Sequence, residues 1–333
     1  MTKKQVTVFG AGSIGCYLGG RLATAGQSVR LIGRSKLQKT VQDVGLTLSQ
    51  FSEDPTHLID IEVATGPEAL AGSDVVALCV KSQDTEAAAL QIKAFAPSAH
   101  IISFQNGISN LPILKRHLPE AKISGSVVPF NVTSPKPGHY HRGTDGDLLI
   151  GPDAPEDILS SLNASGLGAR AVDDIDAYLW AKLLVNLNNA LNTLSGGPLR
   201  DGLLQRGYRR VLIAMIEEGL AVAEAEGVSV ATFNGRNPEA LLKLMRKPDW
   251  LYRFLMDRIA KIDRKARSSM LDDLELGRKA ELDYLQGEIV QRAKAHGLEA
   301  RVNQLVMAAT EAAFSQQKSP GLTGAQMEAM FLG

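Results

Sequence analysis

The chain has 333 residues, and its 36 Lys plus Arg balance 36 Asp plus Glu, so the formal net charge is zero. That balance argues against a generally basic nucleic-acid binder and against an acidic tail. Hydrophobic residues make up 44% and charged residues 22%, which excludes wholesale disorder, and the length suits two domains at roughly 100 to 200 residues each.

Cys16 and Cys79 are the only cysteines, and they lie far apart. They form neither a disulfide framework nor a zinc knuckle, so a reducing cytoplasm is expected, with both thiols as small core groups. No apolar run reaches the ~18 residues a spanning helix needs. Met1-Thr2-Lys3-Lys4 before an apolar stretch has the flavour of a signal peptide, but Gly10 and Gly12 break the run too early. The expectation is a soluble cytoplasmic protein with neither nucleic acid nor membrane as partner.

Gln5-Val6-Thr7-Val8-Phe9 reads as a strand and runs directly into Gly10-Ala11-Gly12-Ser13-Ile14-Gly15. Ile14, Leu18, Leu22 and Ala25 then repeat at helical spacing, with Gly26 as a C-cap. A Gly-x-Gly-x-x-Gly between strand and helix is the fingerprint of a dinucleotide site. Gly10 permits the turn, Gly12 lets backbone approach a pyrophosphate at the helix N-terminus, and Gly15 allows helix to pack on strand. A glycine-rich turn without a ligand is the plainer alternative.

Ser28-Val29-Arg30-Leu31-Ile32 is the second strand. An NAD site places a carboxylate near its end for the ribose 2′-hydroxyl. This chain has Gly33-Arg34-Ser35-Lys36 instead. Arg34 can grip a 2′-phosphate in a bidentate way, so NADP(H) is expected, the alternative being a solvated loop cation.

Val75 to Val80, His100 to Phe104 and Lys122 to Val128 continue the strand series. Lys81 and Asn106, in Gln105-Asn106-Gly107, follow two of these strands. In an open α/β sheet, ligands bind outside the carboxyl strand ends. Taken alone, Asn106-Gly107 also reads as an ordinary turn and Lys81 as a solvated lysine. Residues 137–143 carry hairpin chemistry and, with Asp147 to Gly151, are expected to extend the sheet. His139-x-His141 has no third ligand cluster, and no metal site is expected.

From about Ile175 onward helical spacing dominates, with Pro198, Pro238 and Pro248 as interruptions. One helix is expected over Tyr178 to Leu194, apolar nearly all round and therefore buried. Lys182, Asn186 and Asn189 fall on one narrow stripe of it. A lysine and two amides facing a cleft would bind and polarise a carbonyl; a partly exposed helix with a solvated lysine head is the alternative.

A second long helix is expected from Met270 to about His296. Glu281, seven residues after Leu274, falls within its apolar face and is a site candidate, or else half of a structural salt bridge. Ser269-x-x-Asp272 before it resembles a capping box.

Gly10-Ala11-Gly12-Ser13-Ile14-Gly15, Arg34, Val80-Lys81, Gln105-Asn106-Gly107, Lys182-Leu183-Leu184-Val185-Asn186 and Ser268-Ser269-Met270 with Glu281-Leu282-Asp283-Tyr284 occur in this order. Together they resemble the ketopantoate reductases (2-dehydropantoate 2-reductases), from Val6 to about Asn303. The resemblance implies an α/β Rossmann-type doubly wound domain over residues 1–172 and an all-helical domain over 173–333. It implies NADPH-dependent reduction of the 2-oxo acid ketopantoate to pantoate, on the route to pantothenate and coenzyme A.

In that reading Lys182 is the general acid, and Glu281 holds the substrate hydroxyl and helps place Lys182. Asn186 and Ser269 bind substrate, Asn106 and Lys81 sit at the nicotinamide end, and Arg34 meets the 2′-phosphate. Two departures stand out. Ala190 occupies the position of the family's second helix asparagine, with Asn189 as the nearest amide. Ala300-Arg301 replaces a common Thr-Pro. The stretch from Asn237 to Arg267 is also long and cationic. Another 2-oxo acid as substrate, or a non-catalytic NADP-sensing protein, are the alternatives. The helical half admits a homodimer.

Overall fold

The structure, a computed structural model, describes residues 4–51, 54–58, 60–232, 237–259 and 266–333. Met1, Thr2 and Lys3 of the leader-like start, and Lys261, Arg264 and Lys265 of the cationic stretch, lie outside the described residues. The chain divides into two compact units, Met1–Leu179 and Trp180–Gly333.

Among its described residues the first unit carries twelve strands: β1 Gln5–Phe9, β2 Ser28–Ile32, β3 Leu46–Gln50, β4 Thr56–Leu58, β5 Glu62–Ala64, β6 Val75–Leu78, β7 His100–Ser103, β8 Ile123–Val127, β9 Val132–Lys136, β10 His139–Arg142, β11 Leu148–Ile150 and β12 Ala169–Ala171. Eight of them form one sheet in the order β12-β11-β8-β7-β6-β1-β2-β5. From β8 to β5 every pairing is parallel; β11 runs antiparallel to β8. β6 and β7 are buried along their whole length, as strands covered on both faces must be. Helices α1 Ser13–Thr24, α2 Ser35–Val44, α3 Thr85–Phe95, α4 Asn110–His117 and α5 Glu156–Ala164 are interleaved with the strands. The chain moves from β1 to β2 on one side and returns to β6 on the other. The reversal therefore lies between β1 and β6, where open α/β sheets bind ligands.

The hairpin over 137–143 does form, but it does not extend the main sheet. β9 and β10 join β3 and β4 in a separate four-stranded sheet of order β4-β3-β10-β9, with β10 parallel to β3. Packing decided this. Leu46 and Leu48 of β3 are fully buried against Gly20 of α1, where an added Cβ would stand 2.7 Å from Leu48 Cδ1. β11, by contrast, adds to the main sheet as expected.

The second unit is helical. The chain enters it within α6 Ile175–Asn186 and continues through α7 Asn188–Ser195, α8 Leu199–Leu203, α9 Arg206–Ala225, α10 Pro238–Met245, α11 Asp249–Ile259, α12 Ser269–Glu275, α13 Gln286–Ala295, α14 Arg301–Ser315 and α15 Gly324–Leu332. Pro238 opens α10 at a position whose missing N–H costs nothing, and Asn237 caps that helix by accepting from Ala240 N at 2.7 Å.

Both long helices expected from the sequence are divided. Tyr178 to Leu194 becomes α6 and α7, with Leu187 between them. Met270 to His296 becomes α12, a 3-10 turn at Leu282–Tyr284, and α13. Gly277 causes the second division: its φ of +62° is left-handed, and the N–H of Arg278 turns back to Asp273 O at 2.8 Å.

Candidate active site

The glycine loop is built as its spacing requires. The N–H groups of Gly10 and Ala11 donate to Ile32 O at 3.2 and 2.9 Å, latching the loop to the end of β2. Gly10 has φ +97°, and a Cβ there would meet Val80 N at 2.5 Å. Gly15 lies against strand β1; a Cβ would stand 2.6 Å from Gly10 O and 3.0 Å from Val8 Cγ1. At Gly12 the situation is opposite: it is exposed and a Cβ would meet nothing within 4 Å. α1 starts there with no side-chain cap and no acidic residue in its first turn. The loop thus offers open space before an uncapped helix N-terminus, which fits a pyrophosphate.

β2 ends at Ile32, and Arg34 stands exposed as the N-cap of α2, followed by exposed Ser35 and Lys36. No carboxylate lies in the first turn of that helix. Arg34, Ser35 and Lys36 thus form a cationic, donor-rich corner at the start of α2.

Lys81 and Asn106 come together with their loops. Gln105, buried at the end of β7, donates through Nε2 to Val80 O at 3.1 Å and to Thr85 Oγ1 at 2.7 Å. Ser82 Oγ and Asn110 Nδ2 both donate to Asn106 O, at 3.0 and 2.6 Å. Thr85 Oγ1 completes the set by donating to Asn110 Oδ1 at 2.7 Å. Lys81 is half-buried and Asn106 exposed, on two loops that these bonds hold together. Sequence reasoning missed Gln105, Thr85 and Asn110 as the fasteners; the signal was polar residues placed just after strand ends.

In the second unit, α6 buries Trp180, Leu183 and Leu184, and half-buried Lys182 lies among them. Removal from water lowers its pKa from the ordinary 10.5 to about 8. Asn186, one turn further, is also buried, with 8% of its surface exposed. Asn189 belongs to α7, beyond the division at Leu187, and is half-buried, while Ala190 is wholly enclosed. The single stripe expected of Lys182, Asn186 and Asn189 therefore spans two helices.

Glu281 does not lie in the apolar face of a helix. With α12 closed by Gly277, it heads the 3-10 turn Leu282–Tyr284, half-buried, and Tyr284 N donates to its carbonyl at 3.1 Å. The capping residue of α12 is Ser268, not Ser269: its Oγ accepts from Leu271 N at 3.2 Å. Ser269 is the first residue of the helix and is exposed.

Two buried amides that the sequence reading passed over join these pieces. Asn192 Oδ1 accepts from Ser268 N at 2.9 Å, and its Nδ2 donates to Gly197 O at 2.8 Å, which fixes the Ser268-Ser269 start of α12 against α7. Gln286 Nε2 donates to Leu187 O at 3.0 Å, across 99 positions of sequence. Elsewhere, His139 Nε2 and His141 Nδ1 both bond Ser49 Oγ, at 2.7 and 2.8 Å, on the small sheet.

A glycine loop between strand and helix at the switch point of a parallel sheet is the general form of a dinucleotide-binding fold. Residues 6–155 match the family described as ketopantoate reductase PanE/ApbA, and residues 174–313 match its C-terminal domain. The chain is 30% identical over 304 residues to the 2-dehydropantoate 2-reductase of Halobacterium salinarum, covering 88% of this chain and 93% of that one. A crystal structure of a PanE/ApbA family ketopantoate reductase from Ralstonia eutropha superposes with a TM-score of 0.80 at 32% identity, covering 94% of this chain and 99% of the other. The fold is shared with D-mandelate dehydrogenase, determined with NADH and anilino(oxo)acetate, at a TM-score of 0.76, 18% identity and the same coverage. The chain belongs to the ketopantoate reductase family, a family of pyridine-nucleotide-dependent oxidoreductases, and is an enzyme. Among the described residues no helix is long and apolar enough to cross a membrane.

Proposed function

We propose that the chain catalyses NADPH-dependent reduction of ketopantoate to pantoate, with Lys182 as general acid. One observation carries the reading: in a chain of this family, Lys182 is held in an apolar helix with its pKa lowered to about 8, one turn from buried Asn186. An ammonium with that pKa is mostly protonated at neutral pH and gives up its proton readily.

The dinucleotide, when bound, supplies hydride to the carbonyl carbon. The Gly10–Gly15 loop, Ala11, Ser13 and Ile14 included, holds its pyrophosphate on the α1 N-terminus, and Lys81 and Asn106 serve its nicotinamide end. Arg34 selects NADP(H) over NAD(H) by pairing with a 2′-phosphate, and the absence of a carboxylate in the first turn of α2 supports this. Lys182 Nζ delivers a proton to the carbonyl oxygen as negative charge develops there. Glu281 accepts from the substrate hydroxyl, while Asn186, Asn189 and Ser269 donate to the remaining substrate oxygens.

The test is spectrophotometric: NADPH oxidation with ketopantoate, then with a panel of 2-oxo acids. Turnover with ketopantoate well above the rest is the expected result. A second reading is the same chemistry on a different 2-oxo acid. Ala190, enclosed where the resemblance places an asparagine, favours it, since one substrate-binding amide is then absent from its usual place. A panel member that outperforms ketopantoate would establish that reading instead.

A further inference from the structure

The joint between α6 and α7 is held from outside the helices. Leu187, fully buried, lies between Asn186 and Asn188, and its carbonyl accepts a 3.0 Å hydrogen bond from Gln286 Nε2. Gln286 has none of its surface exposed and is the first residue of α13. It follows Glu281 by five residues, directly after the 3-10 turn that Glu281 heads. The same place is crowded by a third helix: a Cβ added to Gly219 of α9 would stand 2.4 Å from Leu184 Cδ2.

The amide is costly where it sits. Its Oε1 is buried and has no hydrogen-bond partner among the described residues, so only half of its polar capacity is repaid. An apolar side chain of similar volume would bury no such oxygen, but at the cost of the bond to Leu187 O. A residue kept at that cost is explained by what its one bond fixes: the position of the Glu281 turn relative to the helix that carries Lys182 and Asn186.

We propose that Gln286 is a positioning residue for the reductase site, holding the α6–α7 joint through Leu187 O so that Lys182 and Asn186 keep a fixed place relative to Glu281. The proposal rests on the roles assigned above to Lys182 and Glu281. It predicts a loss of activity out of proportion to any change in stability on one substitution, which a purely structural glutamine would not produce.

The test compares wild type with Gln286→Leu and, as a variant that keeps a polar amide should Leu fail to fold, Gln286→Asn. Three readouts are taken: thermal midpoint, steady-state kinetics with NADPH and the best 2-oxo acid, and the ionisation of Lys182 followed by lysine NMR and assigned with Lys182→Arg. Expected are a thermal midpoint changed little in Gln286→Leu, since the lost bond to Leu187 O and the removed Oε1 orphan oppose each other, kcat lowered about tenfold or more with KM for NADPH unchanged, and a Lys182 titration displaced from the wild-type value. Unchanged kcat and an unchanged titration in a folded variant overturn the proposal, as does a fall in kcat that merely follows a fall in thermal midpoint. The NMR titration needs no substrate. If wild type turns over no 2-oxo acid, the functional reading fails, and the titration still decides whether Gln286 sets the surroundings of Lys182.

Discussion

Lys182 is the residue where stability and chemistry oppose each other. Its folded pKa of about 8 lies below the ordinary 10.5, so the fold disfavours the charged form. Between those values the unfolded chain binds more protons than the folded one, so the penalty is full below pH 8 and shrinks as pH rises toward 10.5. Lys182→Met is therefore expected to raise the thermal midpoint at pH 7, with the difference from wild type fading above pH 8; melts across that range check it. The reduction rate runs the other way. It needs the protonated ammonium, so kcat/KM should fall as pH rises through about 8, and Lys182→Ala should lower kcat by about 10² to 10⁴. A wild-type rate in that variant removes the general acid. Arg34→Asp should weaken NADPH far more than NADH, as measured by the two dissociation constants, because it sets a carboxylate against the 2′-phosphate.

Among the elements, the glycine loop and the two divided helices show where local rules decide and where they yield. The loop was fully legible, since strand, glycine spacing and helix are neighbours in sequence. Gly10→Ala should abolish dinucleotide binding, because the new Cβ would meet the backbone of Val80 at 2.5 Å and the residue holds φ +97°; titration calorimetry with NADPH reads this. The helix expected from Met270 starts where the sequence places it but ends at Glu275, because Gly277 is a left-handed terminator, and Glu281 therefore lies beyond it, outside any helix face. The cap of that helix is Ser268, so Ser268→Ala should cost about 1 kcal/mol in denaturant unfolding, and Ser269→Ala much less. The α6–α7 division had no such local signal. The partner of Leu187 O is Gln286, too distant in the chain for periodicity to reveal.

For the molecule as a whole, the strongest expectation concerns linkage between cofactor and fold. A ligand bound only by the native state at a hundred times its Kd adds about 2.7 kcal/mol of stability. NADPH should therefore raise the thermal midpoint more than NADH at equal concentration, and Arg34→Asp should erase the difference. Sequence alone determined the α/β then helical order, the main strands and the glycine loop, because strand and helix periods and glycine spacing are local properties. Only the tertiary structure decided that β9 and β10 leave the main sheet for β3, and that Gln105 ties the Lys81 loop to the Asn106 loop. It also decided that Asn192 and Gln286 hold the pieces of the second unit together. Those outcomes depend on which buried donor meets which buried acceptor, and partners separated by tens of residues leave no periodic trace along the chain.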